Sequence, residues 1–269
     1  MRRGLVPLGL ALLAMVALAA VFAPWLTQYS PSRLSIVNRL QPPSARWWFG
    51  TDDFGRDVFT RVLYGGRASL LVGGAVVALS TAFGVALGLL GGYVRRLDAP
   101  VARLLDAMMA FPDILLAISL LAALGASAAN VVAALTIVYA PRLARVVRSA
   151  TQLIRELAYI EAARAIGAST PRILARHVLR NLVSPVLVQG SFIFAHAILA
   201  EAGLSFLGVG VSPEIATWGT MISGGKGYLD RAPWIMLFPG VAIILAVLSL
   251  QLIGDGLRDL LDPRLARDA

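Results

Sequence analysis

The sequence predicts an all-α, polytopic membrane protein with six transmembrane helices. Of its 269 residues, 58% are hydrophobic and only 14% are charged, and the mean hydropathy is +0.77. The sequence contains six apolar runs, and all but one are close to the roughly 20 residues that a helix needs to cross a bilayer. Arginine-rich or proline-rich segments separate these runs, as is typical of the loops of such a protein.

Composition also excludes several classes of function. All but one of the 24 basic residues are arginine, and they lie between apolar runs and not on one basic face, so the net charge of +9 does not indicate nucleic-acid binding. The absence of cysteine excludes disulfides, thiol catalysis and cysteine-bound metals. With only His177 and His196, a histidine metal centre is not expected, and we expect no cofactor.

The first apolar run spans residues 5–23, after Met1-Arg2-Arg3. It is either a signal peptide or the first span. Its length is closer to the roughly 20 residues of a span than to the 7–15 of a signal core. We therefore expect an uncleaved helix with its N-terminus inside. The polar, proline-containing segment 27–66, with the pair Trp47-Trp48, is then an extracytoplasmic loop that touches the membrane interface.

Glycines are frequent in the second predicted span, residues 68–94. Its Gly84-x-x-x-Gly88 pattern is typical of closely packed membrane helices. The basic residues that follow, Arg95, Arg96 and Arg103, indicate an inside loop.

The third predicted span, residues 104–124, contains two carboxylates, which are costly in a bilayer unless they face protein or water. We expect Asp106 to pair with Arg103. Asp113 follows Pro112 at an expected kink and is a candidate for lining a substrate path.

A short fourth span is predicted at residues 131–140, where Pro141 ends or kinks the helix. Basic residues at a spacing of three then mark its emergence into the cytoplasm: Arg142, Arg145 and Arg148.

Three polar residues interrupt the fifth span, residues 183–209: Gln189, His196 and Glu201. Each is a candidate for lining a substrate path, and the alternative is a structural hydrogen bond between helices. Glu201 lies toward the outer end, where water can reach it. Residues 210–233 are expected to form an outer loop with Trp218 and Trp234 toward its two ends, and the sixth span covers residues 235–253.

One segment, residues 155–181, is helix-forming but too rich in arginine for the bilayer. Gly167 can adopt the left-handed conformation that ends a helix. Thr170 is a good N-cap for a second helix, and Pro171 lies where a missing N–H costs nothing. We therefore expect two helices that meet at a cytoplasmic corner. The second helix carries a basic stripe: Arg172, Arg176 and Arg180.

The distribution of basic residues supports this topology. With six spans and both termini inside, 16 basic residues lie inside and 8 outside. This excess agrees with the positive-inside rule.

The pattern Glu161-Ala162-Ala163-x-x-x-Gly167 resembles the "EAA loop" of bacterial ABC-importer permeases. Four further segments are similar to the dipeptide, oligopeptide and nickel branch of that family, and the resemblance extends from about residue 23 to residue 264. They are FGTDDFGRDVFTRVLYGGRASL (49–70), LLDAMMAFPDILLAI (104–118), EAGLSFLG (201–208) and GDGLRDLLDPR (254–264).

The resemblance implies a type I ABC-importer permease fold. It also implies three regions. Residues 1–66 form an N-terminal helix and an extracytoplasmic loop, residues 67–256 form the permease core with an EAA loop at 155–181, and residues 257–269 form a cytoplasmic tail. In that family the loop docks into a groove of an ATPase subunit, and small side chains allow close approach. By this resemblance, the residues expected to couple this chain to an ATPase subunit are Glu161, Ala162, Ala163, Gly167, Thr170 and Pro171.

The implied partners are a second permease subunit, two ABC ATPase subunits, an extracytoplasmic substrate-binding protein and the lipid bilayer, with no nucleic acid. The implied activity is ATP-driven import by alternating access, with ATP hydrolysed by the separate partner subunits. The implied location of this chain is the cytoplasmic (inner) membrane of a bacterium or archaeon. Peptides are the expected substrate, but nickel chelates and glutathione-like molecules remain open. The alternative class is a self-powered secondary transporter or channel, which usually shows an internal repeat that is not evident here; a membrane enzyme would need a nucleophile and base that the sequence lacks.

Overall fold

Helices carry the fold in the computed structural model, which describes residues 5–261. They run in the order α1 (Leu5–Val21), α2 (Ala23–Leu26), α3 (Val58–Tyr93), α4 (Arg95–Met109), α5 (Asp113–Leu124), α6 (Ala128–Arg155), α7 (Ala158–Ala165), α8 (Thr170–Ile173), α9 (Leu179–Phe206), α10 (Trp218–Gly225) and α11 (Trp234–Leu261). A π-helical turn, Leu174–Val178, joins α8 to α9.

Four helices are long and apolar enough to cross a membrane: α3, α6, the continuous segment from Thr170 to Phe206, and α11. The pair α4 and α5 can supply a fifth crossing, although it is bent by 86°. The first helix, α1, is apolar but has only 17 residues. The all-α membrane architecture is therefore confirmed, while the predicted total of six is reached only if both α1 and the bent pair cross.

The second span begins earlier than the sequence analysis placed it. Helix α3 starts at Val58 and not near residue 68 because Asp57 caps it, accepting a 2.8 Å hydrogen bond from the backbone N–H of Thr60. Residues 58–66, assigned to the outer loop, are helical.

The third span is a broken pair and not one kinked helix. Helix α4 covers the residues expected to form an inside loop, and it is strongly amphipathic, with Leu105 as its buried side chain. Helix α4 ends at Met109, and after a short break Pro112 is the N-cap of α5, which begins at Asp113. A surface helix thus leads into a short apolar one.

Pro141 neither ends nor separates the fourth helix. Helix α6 continues through this buried proline to Arg155, so the expected cytoplasmic arginines are helical residues. Close neighbours allow membrane helices to tolerate a proline in this way. The arginines of α6 form ion pairs with acidic side chains of α4 and α5, and these pairs stabilise the helical conformation beyond Pro141.

The centre of the bundle is the parallel packing of α3 against α6. A Cβ added at Gly88 would lie 2.6 Å from the Val147 Cβ, and one at Gly84 would lie 2.8 Å from the Leu143 Cβ. The predicted small-residue face is therefore a close helix contact. Helix α9 packs beside this pair, and α1 and α11 pack together on its other side.

The predicted outer loop, residues 210–233, contains a buried helix. In α10 the Thr217 side chain accepts a hydrogen bond from the Thr220 N–H, and the Thr220 side chain accepts one from the Thr217 N–H, which forms a capping box. Trp218 is buried against α3 and donates from Nε1 to the Val62 carbonyl at 3.0 Å. Helix α10 is consequently part of the bundle, and Trp218 is a core residue.

Candidate functional site

The predicted corner is present, and Gly167 turns the chain. Its φ of +84° is left-handed. Its N–H donates to the Arg164 carbonyl at 3.0 Å, and the next N–H, of Ala168, donates to the Ala163 carbonyl at 3.0 Å. These two bonds define a Schellman motif, which ends α7 at a sharp bend.

The start of the second helix differs by one residue from the prediction. Ser169 is the N-cap, Thr170 is the first helical residue, and Pro171 follows it in the first turn. The Ser169 side chain makes no capping hydrogen bond. Proline still lies where its missing N–H leaves no unpaired carbonyl, so the bend remains at the expected place.

The two alanines of the corner face opposite directions. Glu161 and Ala162 are exposed, whereas Ala163 is buried with Ile160 in the main core. The expectation that Ala163 keeps a docking face small is therefore wrong: helical periodicity turns it toward its own bundle. No ion pair joins Glu161 to Arg164 within residues 5–261.

Apolar and basic side chains surround the exposed face of the corner. Leu153 is 75% exposed and Ile166 is 86% exposed. Arg172, Arg176 and Arg180 are exposed on the following turns. Large apolar side chains in water beside a basic stripe are typical of a protein contact surface.

Several contacts hold α7 to the ends of the long helices. The Arg164 guanidinium lies 5.3 Å from the Tyr93 ring centroid at the end of α3. Asn181, at the start of α9, donates to the Tyr159 hydroxyl at 3.2 Å. Ile160 is fully buried. The corner is thus fixed to both α3 and α9.

The junction between α6 and α7 has its own ionic contacts. Arg155 donates to the Gly92 carbonyl at 2.6 Å, and Arg95 lies 3.1 Å from Glu156. Hydrogen bonds from Arg155 and then from Arg95 hold the pKa of the Glu156 carboxyl below its ordinary value. Because the Glu156 side chain is exposed, water screens this effect.

Two of the four predicted path residues meet in one cavity of about 230 Å³. Asp113, at the start of α5, and His196, on α9, both line it. Tyr139 also lines the cavity, with its ring centroid 6.5 Å from that of His196. Most of the other lining side chains are aliphatic, so the cavity combines apolar walls with a few polar groups.

The carboxylates of α4 and α5 form a ladder with the arginines of α6. Asp113 pairs with Arg142, and Asp106 pairs with Arg145 at 2.5 Å. The expected Asp106–Arg103 pair is therefore wrong, because α6 brings a better-placed cation. The third rung joins Asp98 to the Arg148 Nε at 2.7 Å.

Glu201 lies in a separate cluster. Its side chain is 0% exposed, so the expectation that water reaches it is wrong. It accepts hydrogen bonds from Thr217 at 2.8 Å, Ser205 at 2.9 Å and Ser69 at 3.4 Å. Gln189 is half-buried on α9 and is not among the residues lining the cavity.

Sequence reasoning missed Tyr139 and Arg142 as cavity neighbours. Arg142 was assigned to a cytoplasmic segment because Pro141 precedes it. The sequence did contain a signal for these ion pairs: three aspartates at intervals of seven or eight residues precede three arginines of α6 at intervals of three. Among the described residues, no group of three or more histidine, cysteine, aspartate or glutamate side chains could hold a metal ion.

Comparison with known proteins identifies the family. Residues 84–267 match the family described as "Binding-protein-dependent transport system inner membrane component", and residues 2–43 match the "N-terminal TM domain of oligopeptide transport permease C". A putative peptide transport system permease protein of Brucella suis is 52% identical over 98% of this chain and 90% of its own length. The dipeptide transport system permease protein of Alkalihalophilus pseudofirmus is 47% identical over 96% and 85%.

A solved structure supports the same fold. The methionine ABC transporter MetNI, in an inward-facing conformation, has a chain that superposes with a TM-score of 0.61 at 20% identity, covering 72% of this chain and 93% of that one. The fold, the family matches and the near full-length relatives agree with one another. This chain therefore belongs to the family of binding-protein-dependent transport system inner membrane components, as a multi-pass permease subunit of an ABC importer.

Proposed function

We propose that this chain imports peptides as one half of a permease heterodimer, with two ABC ATPase subunits on the cytoplasmic side. An extracytoplasmic binding protein delivers the substrate. Relatives named as peptide and dipeptide permeases, at 52% and 47% identity, support the substrate class. The membrane is the cytoplasmic membrane of a bacterium or archaeon, and both chain termini lie inside.

The observation that carries the proposal is the corner formed by α7 and Gly167. It exposes Glu161, Ala162 and Ile166, while Ile160 and Ala163 hold its other face against the bundle. An ATPase groove that receives α7 meets a small side chain at Ala162, which permits close approach. The exposed arginine stripe beside it adds positive charge, which favours a partner surface that carries acidic side chains.

The same corner can transmit movement because it is rigid. Ile160 anchors α7 in the core, and Arg164 and Tyr159 tie it to α3 and α9. When ATP closes the ATPase subunits, an inward pull on α7 swings the attached long helices. This rigid-body motion exposes the cavity alternately to the two sides of the membrane.

The substrate path follows the cavity between α5, α6 and α9. Asp113 and His196 supply polar groups on an otherwise largely apolar wall. A peptide passing such a wall meets few fixed charges, because Arg142 neutralises Asp113. Glu201 and Gln189 contribute to the helices around the path and do not contact the substrate.

Cross-linking tests the docking surface directly. The chain has no cysteine, so a single introduced cysteine reports one position. In the complete transporter, Ala162→Cys should cross-link to an ATPase subunit because residue 162 is exposed on α7. Ala163→Cys is the matched control and should react weakly, because residue 163 is buried.

The same variants test the topology. A membrane-impermeant maleimide should label the Ala162→Cys variant in inside-out vesicles and not in right-side-out ones. Labelling from the outer face would contradict the cytoplasmic corner. Failure of the Ala162→Cys variant to cross-link in a transporter that still hydrolyses ATP would contradict docking through α7.

A further inference from the structure

A second cavity, of about 310 Å³, lies where α2 ends and α3 begins, at the opposite end of α3 from the corner. Thr27, directly after α2, and Thr60, in the first turn of α3, meet here, with their Oγ1 atoms 2.5 Å apart. The cavity is separate from the one proposed as the path. It is lined by Leu26, Thr27, Gln28, Tyr29, Arg46, Trp48, Asp57 and Phe59.

Aromatic side chains form one wall of this cavity. Trp48 packs on Phe59 with ring centroids 5.0 Å apart, yet 63% of Trp48 is exposed. Nearby, Trp25 at the end of the apolar α1–α2 segment is 77% exposed. Exposed tryptophans at the ends of membrane helices lie at the level of the lipid headgroups. The cavity therefore opens at that depth.

A buried carboxylate forms the floor. Asp57 is only 6% exposed, and it has no ion-pair partner within residues 5–261. The backbone N–H and the hydroxyl of Thr60 both donate to its Oδ2, at 2.8 and 2.5 Å. The nearest cation along α3, Arg61, is directed instead to Asp52 and to the Pro31 carbonyl.

Burial raises the pKa of the Asp57 carboxyl, as expected for a charge without a counter-ion. An ammonium group that enters the cavity would supply that counter-ion. Thr27 and Gln28, which line the same space, add oxygens that can accept further hydrogen bonds.

A cation lies at the rim of the cavity. Arg46 is exposed, and its guanidinium stacks 5.1 Å from the Trp47 ring centroid. In the described part of the chain it has no acidic partner. Its donors are free to bind an anion, and phosphate is a preferred partner of guanidinium.

We infer that this cavity binds the headgroup of a zwitterionic phospholipid with a primary ammonium, such as phosphatidylethanolamine. The ammonium lies at Asp57, the phosphate at Arg46, and the apolar portion of the lipid against Leu26 and Phe59. A primary ammonium fits better than a quaternary one because it can donate hydrogen bonds to the carboxylate. The proposed topology enters this inference at one point only: it assigns the bound lipid to the outer leaflet of the membrane.

Native mass spectrometry of the complete transporter in detergent tests this inference. Phosphatidylethanolamine, phosphatidylglycerol and phosphatidylcholine of identical acyl composition are added in turn. We expect retention of phosphatidylethanolamine over the other two, because only it offers both charges and N–H donors.

Matched variants locate the site. Arg46→Gln and Trp48→Ala should each weaken retention, whereas Arg39→Gln and Trp25→Ala, which alter the same loop and the same aromatic belt outside the cavity, should not. Asp57→Asn keeps a residue suited to the N-cap of α3. It should lower the affinity for phosphatidylethanolamine about tenfold, since a charge-assisted hydrogen bond is lost.

Equal retention of phosphatidylglycerol, with no effect of Asp57→Asn, would reduce the site to a surface arginine and overturn the inference. So would equal losses in the Trp25→Ala and Trp48→Ala variants. Cross-linking at residue 162 is independent of these measurements, so this inference and the proposed transport function can fail separately.

Discussion

At the scale of single residues, Glu201 is the best example of a side chain whose role depends on its surroundings. Each hydroxyl that donates to its carboxylate also accepts a backbone N–H. Ser69 accepts from Trp218 at 3.1 Å, and Thr217 accepts from Thr220 at 3.0 Å. The carboxylate therefore orients the hydroxyls that hold α10 against α3 and α9.

We expect Glu201→Leu to destabilise the bundle by about 1–3 kcal/mol, because buried hydroxyls lose their common acceptor. Glu201→Gln should cost much less, since the amide oxygen can replace Oε1, which accepts from both Ser205 and Thr217. Thermal unfolding midpoints in detergent would measure both variants. A Leu variant as stable as the Gln variant would contradict this role.

Gly167 is a residue whose backbone conformation the sequence did predict. A Cβ added there meets no heavy atom within 4 Å, so the cost of a side chain within this chain comes from its φ of +84°. That conformation costs about 1–2 kcal/mol for most residues and less for asparagine.

We therefore expect Gly167→Asn to retain much of the peptide uptake, and Gly167→Val to lose most of it. Gly167→Trp should abolish uptake, because its side chain projects from the proposed docking surface. Uptake assays normalised to the amount of protein in the membrane would separate these effects from insertion. Normal uptake by the Trp variant would contradict a rigid, docked corner.

At the scale of helices, the glycines of α3 are of two kinds. Gly88 has no room for a side chain, since a Cβ would lie 2.6 Å from that of Val147. Gly74, on the same helix, has a nearest neighbour 4.0 Å away, in the Phe194 ring.

We expect Gly88→Ala to cost about 1–3 kcal/mol through overpacking of α3 against α6. Gly74→Ala should be neutral or stabilising by up to about 1 kcal/mol, because alanine is the better helix former. Midpoints of thermal unfolding in detergent provide the comparison. Equal effects of the two substitutions would show that helix propensity, and not close packing, governs this helix.

Local sequence patterns were least informative at the breaks between helices. Pro112 lies in the break between α4 and α5, as the N-cap of α5, whereas Pro141 lies within α6. The difference comes from tertiary contacts: Arg142, Arg145 and Arg148 must stay on one helical face to pair with the acidic residues of α4 and α5. A local propensity cannot register partners that are distant in sequence.

At the scale of the whole molecule, the proposed function assigns this chain a path and a coupling surface and assigns ATP hydrolysis to the partner subunits. We expect no ATP-driven peptide uptake in proteoliposomes that contain this chain alone. Uptake should appear when the second permease, the ATPase subunits and the binding protein are reconstituted with it. Omitting only the ATPase subunits is the matched control.

Uptake driven by an ion gradient in the absence of ATPase subunits would contradict this prediction. It would favour the self-powered secondary transporter considered from the sequence. Co-purification in mild detergent gives a second measure, since an ATPase should remain bound to the wild-type chain and be lost from the Gly167→Trp variant.

The sequence by itself determined the membrane class, the family and the bend at Gly167. These three conclusions depend on composition, on short contiguous sequence motifs and on the backbone conformation of one residue, all of which are properties of the local sequence. Tertiary structure alone decided that Ala163 and Glu201 are buried. It also decided that Asp106 pairs with Arg145 and that Asp113 lines the same cavity as His196. Each of those depends on which helices pack together, and packing joins residues that are far apart in the chain.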